Sequence, residues 1–165
     1  MSLSSKPEST DNPLEEQRRA CRKQALDLLA RREHSRLELR RKLLARSHVQ
    51  DMVDEVLDRL QRERLLDEAR FVEQFVNNRV GRAQGPAKIR AQLRQRGIGD
   101  GLIDDLLEAA ACDWVSLAAA ARRKRFGPAL PRDYRERARQ ARFLKSRGFH
   151  FGQIQAALDL AADSD

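Results

Sequence analysis

The chain has 165 residues, 35% of them charged and only 5% aromatic, with 33 Lys and Arg against 25 Asp and Glu for a net charge of +8. A composition dominated by Ala, Leu, Arg and Glu, and poor in Val, Ile and Thr, points to an all-α class and excludes a β-rich fold. No apolar run approaches the ~18 residues of a membrane-spanning helix, and two distant cysteines, Cys21 and Cys112, exclude a disulfide scaffold. A soluble, cytoplasmic protein with reduced thiols is expected, and its positive balance favours a polyanionic or nucleoprotein partner over plain solubility.

Met1 to Pro13 is rich in Ser, Pro, Glu, Thr and Asp, and reads as a disordered tail. From about Leu14 the pattern becomes helical. Ala25, Leu26, Leu28 and Leu29 close a first helix that runs to about Glu33. Ser35-Arg-Leu-Glu38 is a capping box ahead of a second helix that carries Leu39, Leu43 and Leu44. A third helix, Gln50 to Glu63, carries Met52, Val53, Val56, Leu57 and Leu60. Leu66-Asp67, followed by Phe71, reads as an N-cap with a hydrophobic staple, and opens a helix from Glu68 to Val80.

Next comes G-P-A-K-I-R-A-Q-L-R-Q-R-G-I, Gly85 to Ile98. Gly85 stands at the N-cap and Pro86 at the first helical position, where its missing N–H costs nothing. Gly97 stands where a left-handed residue ends the helix. A helix from Asp100 to about Ala111 follows, with Leu102, Ile103, Leu106 and Leu107 as its apolar face. The last three helices are expected over Trp114 to Arg125, Asp133 to Arg147 and Phe151 to Ala162.

The apolar registers recur. Leu39 and Ile89, Leu43 and Leu93, Val53 and Ile103, and Leu57 and Leu107 are each 50 apart, while Leu93 and Leu144, Gly97 and Gly148, Ile103 and Ile154, and Leu107 and Leu158 are each 51 apart. Shared offsets over many positions mark an internal repeat. The expected architecture is all-α: three tandem three-helix repeats stacked as a short curved solenoid. The divisions are a tail over 1–13 and repeats over 14–66, 67–112 and 113–163.

Charge follows the same period. The middle helices Ser35–Arg46, Gly85–Arg96 and Asp133–Arg147 each sum to +4, and the helices after the first two are acid-rich. Two readings stand. The basic and acidic helices pair with each other at the surface for little energy, or stacking aligns three basic helices into a ridge for a phosphate backbone or an acidic protein groove. The run Arg122-Arg-Lys-Arg125 either complements a helix C-terminus or touches polyanion. A DNA-binding helix-turn-helix is disfavoured, because the helix that would enter the major groove is the acidic one.

No catalytic constellation is found. His34, His48 and His150 are scattered without ligand partners at metal spacing. Gly97-Ile-Gly99-Asp-Gly101 lacks the strand and the Lys-Ser/Thr of a phosphate loop. Neither enzymatic activity nor a cofactor nor a metal is expected.

L-L-D-E-A-R-F-V-E-Q-F-V-N-N-R, followed by the Gly85–Ile98 stretch, resembles the central signature of the RecX family of regulatory proteins. A-L-D-L-L-A-R-R-E-H-S-R-L-E-L-R-R-K-L resembles that family's first unit, and R-K-R-F-G with A-R-F-L-K-S-R-G-F and I-Q-A-A-L resembles its third. One departure is that Ser47-His48 stands where the other units have Gly-Ile and Gly-Phe, which leaves open a differently built first turn. The resemblance implies a curved array of three-helix repeats. It implies binding in the deep groove of the RecA–single-stranded DNA filament, with inhibition of ATP hydrolysis, strand exchange and coprotease activity. It further implies a monomer that contacts single-stranded DNA, and double-stranded DNA weakly, with no membrane partner. Mapped onto this chain, the contact surface is expected over Arg40, Arg41, Lys42, Lys88, Arg90, Arg94, Arg96, Arg142, Lys145 and Arg147, with Arg82, Arg122, Arg123, Lys124 and Arg125 at its edges. The alternative is a stand-alone basic helical DNA-binding protein.

Overall fold

The computed structural model describes residues 12–160, and among these it holds nine α-helices and no strand. They are α1 (Pro13–Arg31), α2 (Arg36–Leu44), α3 (Gln50–Arg62), α4 (Glu68–Gly81), α5 (Pro86–Gln95), α6 (Asp100–Ala109), α7 (Trp114–Phe126), α8 (Tyr134–Ser146) and α9 (Phe151–Asp159). Most of the expected tail lies outside the described residues, as do Ala161 and Ala162 at the end of the last expected helix. Asn12 and Pro13 belong to α1 rather than to a tail. The Asn12 side chain accepts the Leu14 N–H at 3.2 Å, and Pro13 opens the helix. The helices form two compact units that divide between Asp67 and Glu68.

The first unit is α1 to α3 around one apolar cluster. Cys21, Ala25, Leu39, Leu43, Val53, Leu57 and Leu60 are its fully enclosed residues, and Leu66 joins them. Each buried Leu contributes about 1.5–3 kcal/mol by leaving water. The Ser35 capping box forms in full: Oγ accepts the Glu38 N–H at 3.1 Å, and the Glu38 carboxylate accepts the Ser35 N–H at 3.3 Å. Beside it, His34 is buried between the Arg32 carbonyl, 3.0 Å from Nδ1, and the Lys42 ammonium, 2.9 Å from Nε2. An ammonium can only donate, so Nε2 accepts and Nδ1 carries the proton. Burial is the main cause pushing the His34 pKa down.

The second unit contains the other two repeats. Phe71, Val72, Val76, Ile89, Leu93, Ile98 and Ile103 form the core of the middle repeat. Ala118, Ala119, Leu144, Phe149, Ala157 and Leu158 belong to that of the last. Trp114 packs against both clusters, so it joins two repeats rather than anchoring one.

The two repeats also dock backbone to backbone. Gly85 is the N-cap of α5, and no side chain caps that helix. Instead the Gly85 N–H donates to the Arg147 carbonyl at 2.7 Å, and the Ala87 N–H donates to the Gly148 carbonyl at 3.0 Å. The electropositive start of one helix thus meets carbonyls at the electronegative end of another. Such an approach leaves no room for side chains. A Cβ on Gly85 would lie 2.4 Å from the Gly148 carbonyl carbon, and one on Gly148 would lie 2.3 Å from the Lys88 Cβ.

α5 and α8 end the same way. Gly97 (φ 79°) and Gly148 (φ 93°) are left-handed, and the next residues, Ile98 and Phe149, turn back into the core. The Ile98 and Phe149 N–H groups reach the Leu93 and Leu144 carbonyls, a Schellman closure. The first repeat keeps the left-handed residue but not the closing bond from His48 to Leu43. Ser47 takes φ 68°, and its N–H reaches the Leu44 carbonyl at 3.1 Å. His48 bonds Gln24 Oε1 at 2.9 Å. The first turn is thus built differently beyond its left-handed residue, whose Cβ bears the strain.

Two substitutions test these features. Gly85→Ala is expected to lower the stability of the second unit by at least about 2 kcal/mol, because its Cβ meets backbone that cannot give way. Ser47→Gly is expected to raise stability by about 0.5–1 kcal/mol, the relief of left-handed strain less the extra unfolded-state entropy. Urea unfolding followed by circular dichroism checks both, and the opposite sign in either would contradict the geometry.

Candidate polyanion-binding surface

Much of the basic charge on the middle helices is already engaged within its own repeat. Arg40 reaches Asp54 with two nitrogens, Nε to Oδ1 at 2.7 Å and Nη2 to Oδ2 at 3.4 Å. Arg90 pairs with Asp104 in the equivalent place one repeat on, 50 residues later for both partners. A second rung joins Arg36 to Asp58 and Arg137 to Asp159, both at 2.8 Å. Arg94 grips Asp100 at 2.6 and 3.2 Å. Hydrogen bonds from these guanidinium groups hold Asp54, Asp100 and Asp159 below the usual carboxylate range. All are solvent-facing pairs, each contributing little to stability, and together they engage Arg40, Arg90 and Arg94 within their own repeats.

The remaining residues expected at the surface divide into several groups. Lys42 bonds His34, and Lys88 Nζ lies 3.5 Å from the Ser146 carbonyl. Arg96 lies over the Phe75 ring at 4.7 Å, with Arg79 also over it at 4.6 Å. Arg41, Arg142 and Lys145 are exposed, and none of them forms an ion pair among the described residues.

Arg122 overturns its expected role. It is fully buried, so it is not an edge of any contact surface. Its Nη1 donates to the Ala129 carbonyl at 3.0 Å, while Nε and Nη2 have no hydrogen-bond partner. Its pKa is pushed down, chiefly by burial and then by Arg123. Helical spacing explains the placement: Arg122 is four residues after Ala118, on the core face of α7. The neighbouring helix carries a second polar intruder. Gln140, four residues before Leu144, occupies the position of Leu39 and Ile89 and is buried with Oε1 unpartnered.

Three of the other edge residues converge with Arg147 of the expected ridge, while the half-buried Arg123 is not among the residues they meet. Arg82 after α4, Lys124 and Arg125 on α7, and Arg147 after α8 line one groove of about 430 Å³, with Phe143, Ala121, Gly81 and Ala83 between them. No acid lines it, and none of its four cations forms an ion pair among the described residues. Burial, aided by Arg82 and Arg96, pushes the Arg79 pKa down. A smaller groove of about 210 Å³ in the first unit was not expected. Arg18, Arg22, Arg59 and Arg62 line it with Glu55. Arg18 is tied to Glu15 and Glu55, and Arg22 and Arg59 to Glu63. The four-residue spacing of Arg18 and Arg22 was its one signal in the sequence.

Among the described residues, no group of three His, Cys, Asp or Glu could hold a metal ion, and no helix is long and apolar enough to cross a membrane. The fold and charge define a three-repeat helical protein that presents cations. Models of the RecX first, second and third three-helix domains match residues 21–60, 67–107 and 112–158. The regulatory protein RecX of Halorhodospira halophila is 53% identical over 146 residues, 88% of this chain and 90% of its own length. That of Ectopseudomonas mendocina is 45% identical over 87% of this chain and 93% of its own. The crystal structure of RecX from Lactobacillus salivarius shares the fold at a TM-score of 0.75 and 21% identity, over 87% of this chain and 95% of that one. The chain belongs to the RecX family of regulatory proteins.

Arg122→Leu is expected to be neutral or stabilising by about 1 kcal/mol, since a well-packed apolar side chain replaces a buried, half-satisfied cation. A thermal midpoint several degrees below that of the parent would show that the guanidinium holds the 126–132 connection in place.

Proposed function

We propose that this chain binds the filament of RecA recombinase on single-stranded DNA and inhibits its ATP hydrolysis, strand exchange and coprotease activities. It acts as a cytoplasmic monomer without catalysis of its own. The observation that carries this reading is the match to all three RecX domains, joined to a surplus of cations that internal acids leave unneutralised. The contacting residues are then the unpaired ones: Arg41, Arg142 and Lys145 on the middle helices, and Arg82, Lys124, Arg125 and Arg147 in the groove. Arg40, Arg90 and Arg94 contribute by shaping their helices, because breaking their carboxylate pairs would offset any new contact.

The test is recombinase ATPase on single-stranded DNA with this protein titrated in. Inhibition is expected at amounts below one per recombinase. Reversing Arg142 and Lys145 to Glu should weaken it about tenfold or more, while Arg90→Gln should change it little. No inhibition by the parent protein would exclude the regulatory reading. Strong gel-shift of bare DNA at physiological salt, without any effect on ATPase, would instead favour a stand-alone DNA-binding protein.

A further inference from the structure

We propose that the groove formed by Arg82, Lys124, Arg125 and Arg147 is a binding site for closely spaced phosphates, the chemistry shared by the oligophosphate of a free nucleotide and a short run of phosphodiesters. Its cations come from three separate segments and face a common space with no carboxylate among the lining residues. The arginine-lined groove between α1 and α3 differs: Glu55 is among its lining residues and pairs with Arg18, and Arg22 is tied to Glu63. Four like charges gathered without a counter-ion repel one another, and a multivalent anion relieves all of them at once.

Two carbonyls near the end of α4 are already taken, Arg79 by the Arg82 and Gln84 N–H groups and Val80 by that of Ala83. Three of the four cations are guanidiniums, whose planar forks suit two oxygens of one phosphate. The groove also has an aromatic wall. Phe143 is held edge-to-face by Phe126, with centroids 5.4 Å apart, and the Arg147 guanidinium stands 5.7 Å from its ring. A ring flanked by cations suits a nucleobase attached to the phosphates. The volume, about 430 Å³, is that of a small-ligand cleft.

The full chain, without recombinase, is titrated with inorganic tripolyphosphate by calorimetry. Saturable binding is expected. Lys124→Ala with Arg125→Ala, both exposed, should weaken it at least about 30-fold, given the strength of charge-assisted hydrogen bonds. Arg31→Ala with Arg46→Ala removes equal charge from the first unit and should leave affinity within about threefold. Equal binding by the groove variant, an equal loss in the control variant, or no binding by the parent at millimolar tripolyphosphate would each overturn the assignment. Competition then identifies the source: displacement by adenosine triphosphate alone indicates a free nucleotide, and displacement by oligothymidylate, with a log–log salt slope of about −3, indicates a strand. Loss of phosphate binding with recombinase inhibition intact would leave the groove assignment standing and remove these residues from the regulatory surface. Failure of recombinase inhibition in the parent would leave the phosphate site untouched.

Discussion

The second unit depends on two glycines that allow backbone to touch backbone. Gly85 and Gly148 let the start of α5 take its missing hydrogen-bond acceptors from the end of α8. The equivalent helix starts in the other repeats use side chains. Ser35 caps α2, and Asp133 caps α8 through the Glu136 N–H at 2.8 Å. A side-chain cap keeps a repeat self-sufficient. A cap borrowed from a neighbour makes two repeats one structure. The cationic groove follows from this joint, since Arg82 precedes one glycine and Arg147 precedes the other.

Charge in this molecule has two distinct roles. One is repetitive and internal: Arg40 with Asp54 and Arg90 with Asp104 occupy equivalent places, as do Arg36 with Asp58 and Arg137 with Asp159. These pairs orient the second helix of a repeat against the third. The other role falls to cations that have no place in the rungs and collect where repeats meet. Counting charge along a helix treats the two roles alike, although only the second leaves a positive field for a partner.

The helices and their register were legible because local rules fix them. Period 3.6, the Ser35 capping box, Pro86 and the glycines at 97 and 148 each act within a few residues. The Ser47 turn was less legible, because a serine in the left-handed region is paid for by the surrounding fold. The charge on the expected ridge was legible, but its pairing was not. Arg40, Arg90 and Arg94 carry the right charge, but their acids lie on the next helix. Arg122 read as part of a solvated basic run, although its spacing from Ala118 placed it on the core face. The four cations of the groove were named from the sequence as contact residues, but their convergence was not legible, since they come from distant segments that only tertiary packing brings together.

The borrowed cap also has a consequence for synthesis. A chain emerging from the ribosome presents the middle repeat well before its partner exists. Until Arg147 and Gly148 have been made, the first amides of α5 have only water to bond. The middle repeat therefore reaches its final form late and from its C-terminal side, whereas the helix starts of the first unit take no backbone bond from another repeat and do not wait for one.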